Sequence, residues 1–186
     1  KLREVFGSQD LGINLKDAHA DLMHRAYLYE HGNRLHLESW WPKPGTRIQR
    51  VFDTLVAGRP VVQNNRSDTD AWQIPTEPGT DEAKSIVLVP IACGDRFVGV
   101  IGLEDHKREN AFGEAEVRLL TTIAASMGVA LENARLFDET QRLLKETEQR
   151  NAELAVISSV QQGVAAVLDF QSIVNVVGER LREVFK

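Results

Sequence analysis

The sequence predicts an α+β domain: an antiparallel sheet with helices above and below it, followed by a long C-terminal helix. Three observations carry this. Two segments read as hairpins closed by short turns, at His31-Gly32-Asn33 and at Gly94-Asp95. The second hairpin is apolar on both faces, so its strands need cover on both sides. From Phe112 the apolar period changes from two to 3.6, and no proline follows Pro90 to stop a helix.

The elements follow in order. Leu11–Lys16 and Leu22–Glu30 read as strands joined by the polar segment Asp17–Asp21, and Arg34–Trp40 as the returning strand. A turn centred on Gly32-Asn33 sets Leu28 opposite Leu37 and Tyr29 opposite His36. One face then carries Ala26, Leu28, Leu35 and Leu37 and wants a core. The other carries Tyr27, Tyr29, His36 and Glu38 and reads as a solvated face or a pocket wall. Pro42, Pro44 and Gly45 break the strand. Thr46 reads as the N-cap of a short helix, Arg47–Val56, with Ile48, Val51, Phe52 and Leu55 on one stripe. Ala57-Gly58 ends it, and Pro60–Gln63 is a short strand. Asn64–Ala83, rich in Asn, Asp, Thr, Pro and Gly, is the longest irregular stretch; such segments serve as lids or binding loops, or stay disordered.

Ser85–Ala92 and Arg96–Glu104 form the strongest hairpin. A two-residue turn puts Val87, Val89, Ile91, Val98 and Val100 on one face, and Ile86, Leu88, Phe97, Ile101 and Leu103 on the other. Helix starts near Glu114 and runs well past Phe137, with Val117, Leu120, Ile123, Ala124, Met127, Ala130, Leu131 and Ala134 as its stripe. Leu136, Thr140, Leu143, Thr147, Arg150, Leu154 and Ile157 continue at 3–4 spacing. This is a weak coiled-coil seam, since the Thr and Arg positions are polar. Gly163 is a candidate break. Asp169 would cap a final helix with Phe170, Ile173, Val174, Val177, Leu181 and Val184 on one stripe.

Composition narrows the function. The 186 residues suffice for one domain plus an extension, with 42% hydrophobic and 26% charged residues. The net charge of −5 and the lack of a basic run argue against a nucleic-acid partner. No apolar stretch approaches the roughly 18–20 residues of a membrane span, and no signal peptide is visible at Lys1. The lone cysteine, Cys93, allows no internal disulfide and suits a reducing cytoplasm, the expected location. A repeat stands out as well. Leu2-Arg3-Glu4-Val5-Phe6 recurs as Leu181-Arg182-Glu183-Val184-Phe185, at an offset of 181 − 2 = 179 residues. The chain thus reads as one period of a tandem array, out of phase with its domain boundary. The plainer alternative is two similar amphipathic helix ends.

The run from Lys84 to Glu104, with its Val89-Pro90-Ile91 step, tight turn and Gly99-Val100-Ile101-Gly102-Leu103, resembles the central hairpin of GAF domains. Phe112 and Leu119–Leu136, ending in Ala130-Leu131-Glu132-Asn133-Ala134-Arg135-Leu136-Phe137, resemble that family's last helix, and Tyr27–Leu35 its early hairpin. The resemblance implies an antiparallel sheet of about six strands, with a small-molecule pocket on one face and dimerising helices on the other. It also implies an origin in a bacterial signalling protein, such as a tandem-GAF histidine kinase or nucleotide cyclase of a two-component or cyclase system. The domain reading is then 1–137, a GAF-like sensory domain lacking most of its first helix, and 138–155, a helical signalling linker. Residues 156–186 are the first helices of a following unit, or a helix docking back onto the sheet.

Candidate sites follow from both readings. Cyclic-nucleotide GAF domains carry Asn-Lys, then Phe, then Asp-Glu. The corresponding positions here are Asp105-His106, Phe112 and Glu116-Val117, and only the phenylalanine matches, which argues against that ligand. A sulfoxide-reductase chemistry needs more thiols than Cys93 supplies. The pairs His19/His24 and His31/His36 have offsets that send their members to opposite strand faces, so no metal site is expected. Haem needs only one axial histidine, so a haem or other chromophore sensor stays open as the alternative function. The cofactor is left unassigned. Tyr27, Tyr29, Trp40, Arg50, Asn64, Asp70 and Trp72 are the candidates for lining a cleft for an unidentified small molecule, beside Trp41 and Asn65. No catalytic set has the required spacing, so the chain is expected to be a sensor and not an enzyme. Leu136, Leu143, Leu154 and Ile157 lack cover within their own domain, and a second copy in parallel register would supply it, giving a homodimer.

Overall fold

The computed structural model describes residues 10–65, 68, 71–72, 74, 76 and 80–185; the side chains of residues 166–169 and 184 are not among them. Residues 1–9, and with them the first copy of the pentamer, lie outside that set, as does Asp70. Two units are present, residues 1–133 and residues 134–186.

The first unit holds a six-stranded sheet in the order β3-β2-β1-β6-β5-β4, with antiparallel neighbours. Its strands are β1 (Asp10–Lys16), β2 (Met23–Glu30), β3 (Asn33–Arg34), β4 (Val61–Gln63), β5 (Ser85–Cys93) and β6 (Arg96–Asp105). Two helices are named: α1 (Arg47–Val56) and α2 (Glu114–Val184). The expected α+β architecture is therefore present.

Local signals placed α1 well. Val51, Phe52 and Leu55 are buried, as a one-face stripe requires, and Ile48 packs at their edge. Thr46 stands at the N-cap position but makes no side-chain cap; its hydroxyl instead donates to the Lys43 carbonyl at 2.6 Å. At the start of α2, the Glu116 carboxylate reaches back to the Gly113 N–H at 2.9 Å, half of a capping box.

The early hairpin departs from expectation in register and in facing. The turn is His31-Gly32, both at positive φ (48° and 85°), with Glu30 opposite Asn33 and Tyr29 opposite Arg34. Two successive positive φ values match the twist of a tight hairpin. The paired strand after the turn is only two residues long. The chain rejoins β2 through a single bridge, Met23 to Trp40. Tyr27 lies across from Ile13 and packs against the core beneath α2, while Leu28 lies across from Gly12 and lines the opposite face. Tyr27 is thus a core residue and Leu28 a cavity residue, the reverse of the expected facing at these two positions, while Tyr29 borders the cavity.

A bulge explains the second departure. The β5–β6 register shifts between Ile91 and Ala92. One extra residue inverts the facing of β6 relative to β5 beyond that point. Val87, Val89 and Ile91 therefore share a cluster with Ile101 and Leu103, not with Val100. That cluster is closed by Leu120 and Ala124 of α2 and by Phe112. Val100, Met23 and Val61 form the opposite core with α1, and Trp40, Trp41, Trp72 and Phe97 pack around it.

At its end in the first unit, α2 comes against bare backbone. A Cβ on Gly128 would lie 2.0 Å from the Ala92 carbonyl oxygen, so only glycine fits there. Arg96, just past the β5–β6 turn, pairs with Glu132 on α2.

The second unit is the continuation of α2. The helix passes Gly163 and Asp169 without interruption, so neither the expected break nor the expected cap forms. Thr140 and Thr147 turn their hydroxyls back to the Leu136 and Leu143 carbonyls. Arg135–Glu139 and Glu146–Arg150 pair along the surface. Leu136, Leu143, Leu154 and Ile157 are all exposed, and so are Phe170, Ile173, Val177 and Leu181 further along.

Candidate functional site

The central strands leave a gap in their own surface. Gly12 of β1 and Gly102 of β6 are cross-strand partners on the face away from α2. Two glycines side by side give that face a floor without side chains. Above it lies a cavity of about 130 Å³, walled by Leu28, Ile48, Trp40, Ile74, Ile86 and Leu88.

Charge is unevenly distributed along this cavity. Asn14 and Arg25, partners across β1 and β2, lie toward one end. Asp10, Glu30 and Glu104, at the other ends of the same three strands, and Asp81 beside them, make the opposite end acidic. Arg25 is held by its Nε bond to the Glu38 carbonyl at 3.0 Å and lies over the Trp40 ring. The Trp40 Nε1–H is buried without a hydrogen-bond partner among the described residues. A buried orphan donor costs about 1–3 kcal/mol, so such groups are rare in finished structures.

Beside the acidic end, three side chains converge from two hairpins. His31 occupies the β2–β3 turn, its N–H donating to Asp10 Oδ1 at 2.7 Å and its Nε2 lying 3.0 Å from Asp81 Oδ2. His106 follows the last residue of β6, and its ring lies 4.7 Å from that of His31, centroid to centroid. Glu30 Oε1 sits 3.6 Å from the Nε2 of each histidine. The His106 side chain is 8% exposed, and neither of its ring nitrogens has a hydrogen-bond partner among the described residues.

The backbone at His106 is fixed by its neighbour. Asp105 accepts from the N–H groups of Lys107 and Arg108 and from the Arg108 guanidinium. Burial pushes the Asp105 carboxyl up. The two N–H donors and Arg108 together outweigh that, and hold it below its usual value of 3.8.

The sequence-predicted candidates disperse. Tyr29 and Trp40 border the cavity. Tyr27 is stacked with Tyr29 at 6.3 Å and packs toward α2. Arg50 is exposed on α1 and is not among the cavity residues. Asn64 is a joint in the scaffold: its side chain donates to the Phe112 carbonyl at 2.5 Å and accepts from the Phe112 N–H at 3.3 Å. Trp72 packs in the α1 core. Phe112, the one match to the cyclic-nucleotide motif, is a core residue. Cys93 is not among the cavity residues. Of the histidines, His24 bonds Asp17 and Ser39, and His31 meets His106. The cluster was hidden because 106 − 31 = 75 residues separate its histidines.

A six-stranded antiparallel sheet with a cavity on one face and a helix on the other is the architecture of a ligand-sensing module. The chain belongs to the GAF domain family, whose model matches residues 1–132. It is 27% identical over 135 residues to the formate hydrogenlyase transcriptional activator of Salmonella typhimurium, covering 69% of this chain and 18% of that protein. It is 35% identical over 77 residues to a methanogenesis regulatory histidine kinase of Methanothrix harundinacea, covering 38% of this chain and 9% of the kinase. The chain thus spans less than a fifth of the length of either curated relative. Among solved structures, it resembles the GAF domain of an Acinetobacter phosphoenolpyruvate-protein phosphotransferase, at 18% identity and a TM-score of 0.57, covering 73% of this chain and 78% of that one. It also resembles a red/green cyanobacteriochrome in its red-light-absorbing state, at 17% identity and a TM-score of 0.51, covering 73% and 90%. These likenesses show the fold. No helix among the described residues is long and apolar enough to cross a membrane.

Proposed function

We propose that this chain is a small-molecule-sensing and dimerising module of a bacterial signalling protein, acting in the cytoplasm and without a catalytic role of its own. The observation that carries the sensing part is the cavity above Gly12 and Gly102, bordered by the unpartnered Trp40 Nε1–H. Its volume of about 130 Å³ lies below the roughly 300 Å³ at which pockets for drug-sized molecules begin. A small polar ligand with an acceptor for Trp40 suits this space better than a tetrapyrrole. The regulatory relatives support a place in signal transduction.

The dimerising part rests on the second unit. Leu136, Leu143, Leu154 and Ile157 are exposed and, with Thr140, Thr147 and Arg150 between them, make a 3–4 series that a second copy in parallel register would cover. We read residues 138–155 as the signalling linker and residues 156–186 as the opening of a following unit. The polar Thr140, Thr147 and Arg150 keep the seam weak enough for a ligand to shift it.

The test is Gly12→Val. A Cβ at Gly12 makes only ordinary contact, 3.5 Å from Leu28 Cδ1, so the strand tolerates it while the added methyls fill the cavity. In a thermal-shift screen of small polar metabolites, at least one should raise the melting temperature of the wild type and leave the variant unmoved. A compound that stabilised both equally would place binding elsewhere and overturn the reading.

A further inference from the structure

We propose that the chain binds one divalent first-row transition-metal ion through Glu30, His31 and His106, with Asp10 as a fourth donor. The ligand atoms of the first three lie within 4.8 Å of one another. The finer distances say more. His106 Nε2 is 3.4 Å from Asp10 Oδ2, 3.6 Å from Glu30 Oε1 and 3.8 Å from Glu104 Oε2; His31 Nε2 is 3.6 Å from the same Glu30 oxygen. All four exceed the usual hydrogen-bond range; the one short contact, His31 Nε2 to Asp81 Oδ2 at 3.0 Å, is the bond that the ion would replace. They are close to the edge of a tetrahedron, about 3.4 Å when each donor sits about 2.1 Å from a central ion.

The orphaned imidazole is the independent observation. The His106 side chain is 8% exposed, its Nε2 faces three carboxylates, and it is hydrogen-bonded to none of them. An ion between the groups satisfies the imidazole and the carboxylates together.

The frame is already ordered. Asp105 fixes the backbone turn that presents His106, and Asp10 Oδ1 anchors the His31 N–H, leaving its other oxygen toward His106. Glu30 Oε1 also accepts the Asp81 N–H at 2.8 Å, an outer-shell bond that orients a ligating carboxylate. Two imidazoles with carboxylates favour borderline ions such as Zn²⁺, Co²⁺ or Fe²⁺. Ca²⁺ and Mg²⁺ prefer all-oxygen shells. His31 is 47% exposed, which gives the ion a way in and leaves a coordination position open. Since Asp10, Glu30 and Asp81 also border the cavity, the ion would neutralise its acidic end.

The experiment uses the full chain stripped with EDTA and titrated with Co²⁺, read by visible d–d absorption, and with Zn²⁺, read by calorimetry. The expected result is one ion per chain, with affinity at least tenfold weaker in His31→Ala, His106→Ala and Glu30→Gln. His31→Ala changes a half-exposed turn side chain, so its fold is retained and checked by circular dichroism even where His106→Ala unfolds. Zn²⁺ should raise the melting temperature of the wild type and not that of His31→Ala. Absence of binding, or a wild-type isotherm in His31→Ala, would overturn the proposal. In the second case the ion would be held by His19, His24 or His36.

Discussion

Replacing Gly128 with alanine should destabilise the domain, although alanine is the better helix former. The new Cβ would lie 2.0 Å from the Ala92 carbonyl oxygen and 2.7 Å from its carbon. Ordinary contact begins at 3.4 Å, so α2 and β5 must separate by up to 3.4 − 2.0 = 1.4 Å. The obstruction is backbone and cannot rotate away. The separation loosens Leu120, Ala124, Ile123 and Met127 against Val87, Val89 and Ile91. Overpacking of this kind costs about 3 kcal/mol, the upper end of its usual range. Helix propensity returns about 1 kcal/mol. The net loss is about 2 kcal/mol, a fall in melting temperature on the order of 5–10 °C. Gly163→Ala is the control, because nothing lies within 4 Å of its Cβ; it should gain about 1 kcal/mol of helix stability. Chemical denaturation followed by circular dichroism reads both variants. Equal or greater stability in Gly128→Ala would mean that α2 does not rest on β5 in this register.

Three further outcomes are expected. Ser85 is buried, and its hydroxyl faces the carbonyls of Arg108 and Asn64 while accepting the Ala111 N–H; Ser85→Ala should cost about 1–3 kcal/mol by denaturation. Asp105 has a folded value held below its usual 3.8, so its stabilisation is complete above that pH and is lost as pH falls through the lower folded value. Stability curves below pH 3.8 should therefore be flatter in Asp105→Asn, and the variant should be the less stable at neutral pH. Asp17, held down to about 2 chiefly by its bond to His24, adds a smaller exposed contribution lost between pH 3.8 and about 2. Leu154→Glu with Ile157→Glu should turn a dimer into a monomer in light scattering across a concentration range; a wild type that is monomeric throughout would refute the linker reading.

The sequence made local features legible and left long-range ones dark. The bounds of α1 and the ends of the β5–β6 hairpin were readable because caps, turns and periodicity are encoded within a few residues. The facing of β6 was not, because a bulge between Ile91 and Ala92 leaves no residue signature and reverses parity. Tyr27 was misfaced for a related reason: an amphipathic strand does not say which side its partner helix will cover. The glycine floor needs the pairing of Gly12 with Gly102, which is set by β1 lying between β2 and β6. That same placement puts Asp10 between Glu30 and His106. Neither feature exists until the sheet closes.

Strand alternation also says how a cavity on one face could be felt on the other. On β1, Gly12 and Asn14 border the cavity, while Ile13 and Leu15 pack against the core under α2. On β5, Ile86 and Leu88 face the cavity while Val87 and Val89 meet the Leu120 and Ala124 cluster. No loop or spare layer separates the two faces; they are consecutive residues of the same strands. Close-packed side chains transmit a displacement, since they have little void in which to absorb it. Gly128 removes even the side-chain cushion, setting helix backbone against the Ala92 carbonyl. On the proposed reading, a ligand that widens the cavity therefore moves the first turns of α2 as a body, and the helix carries that shift onward.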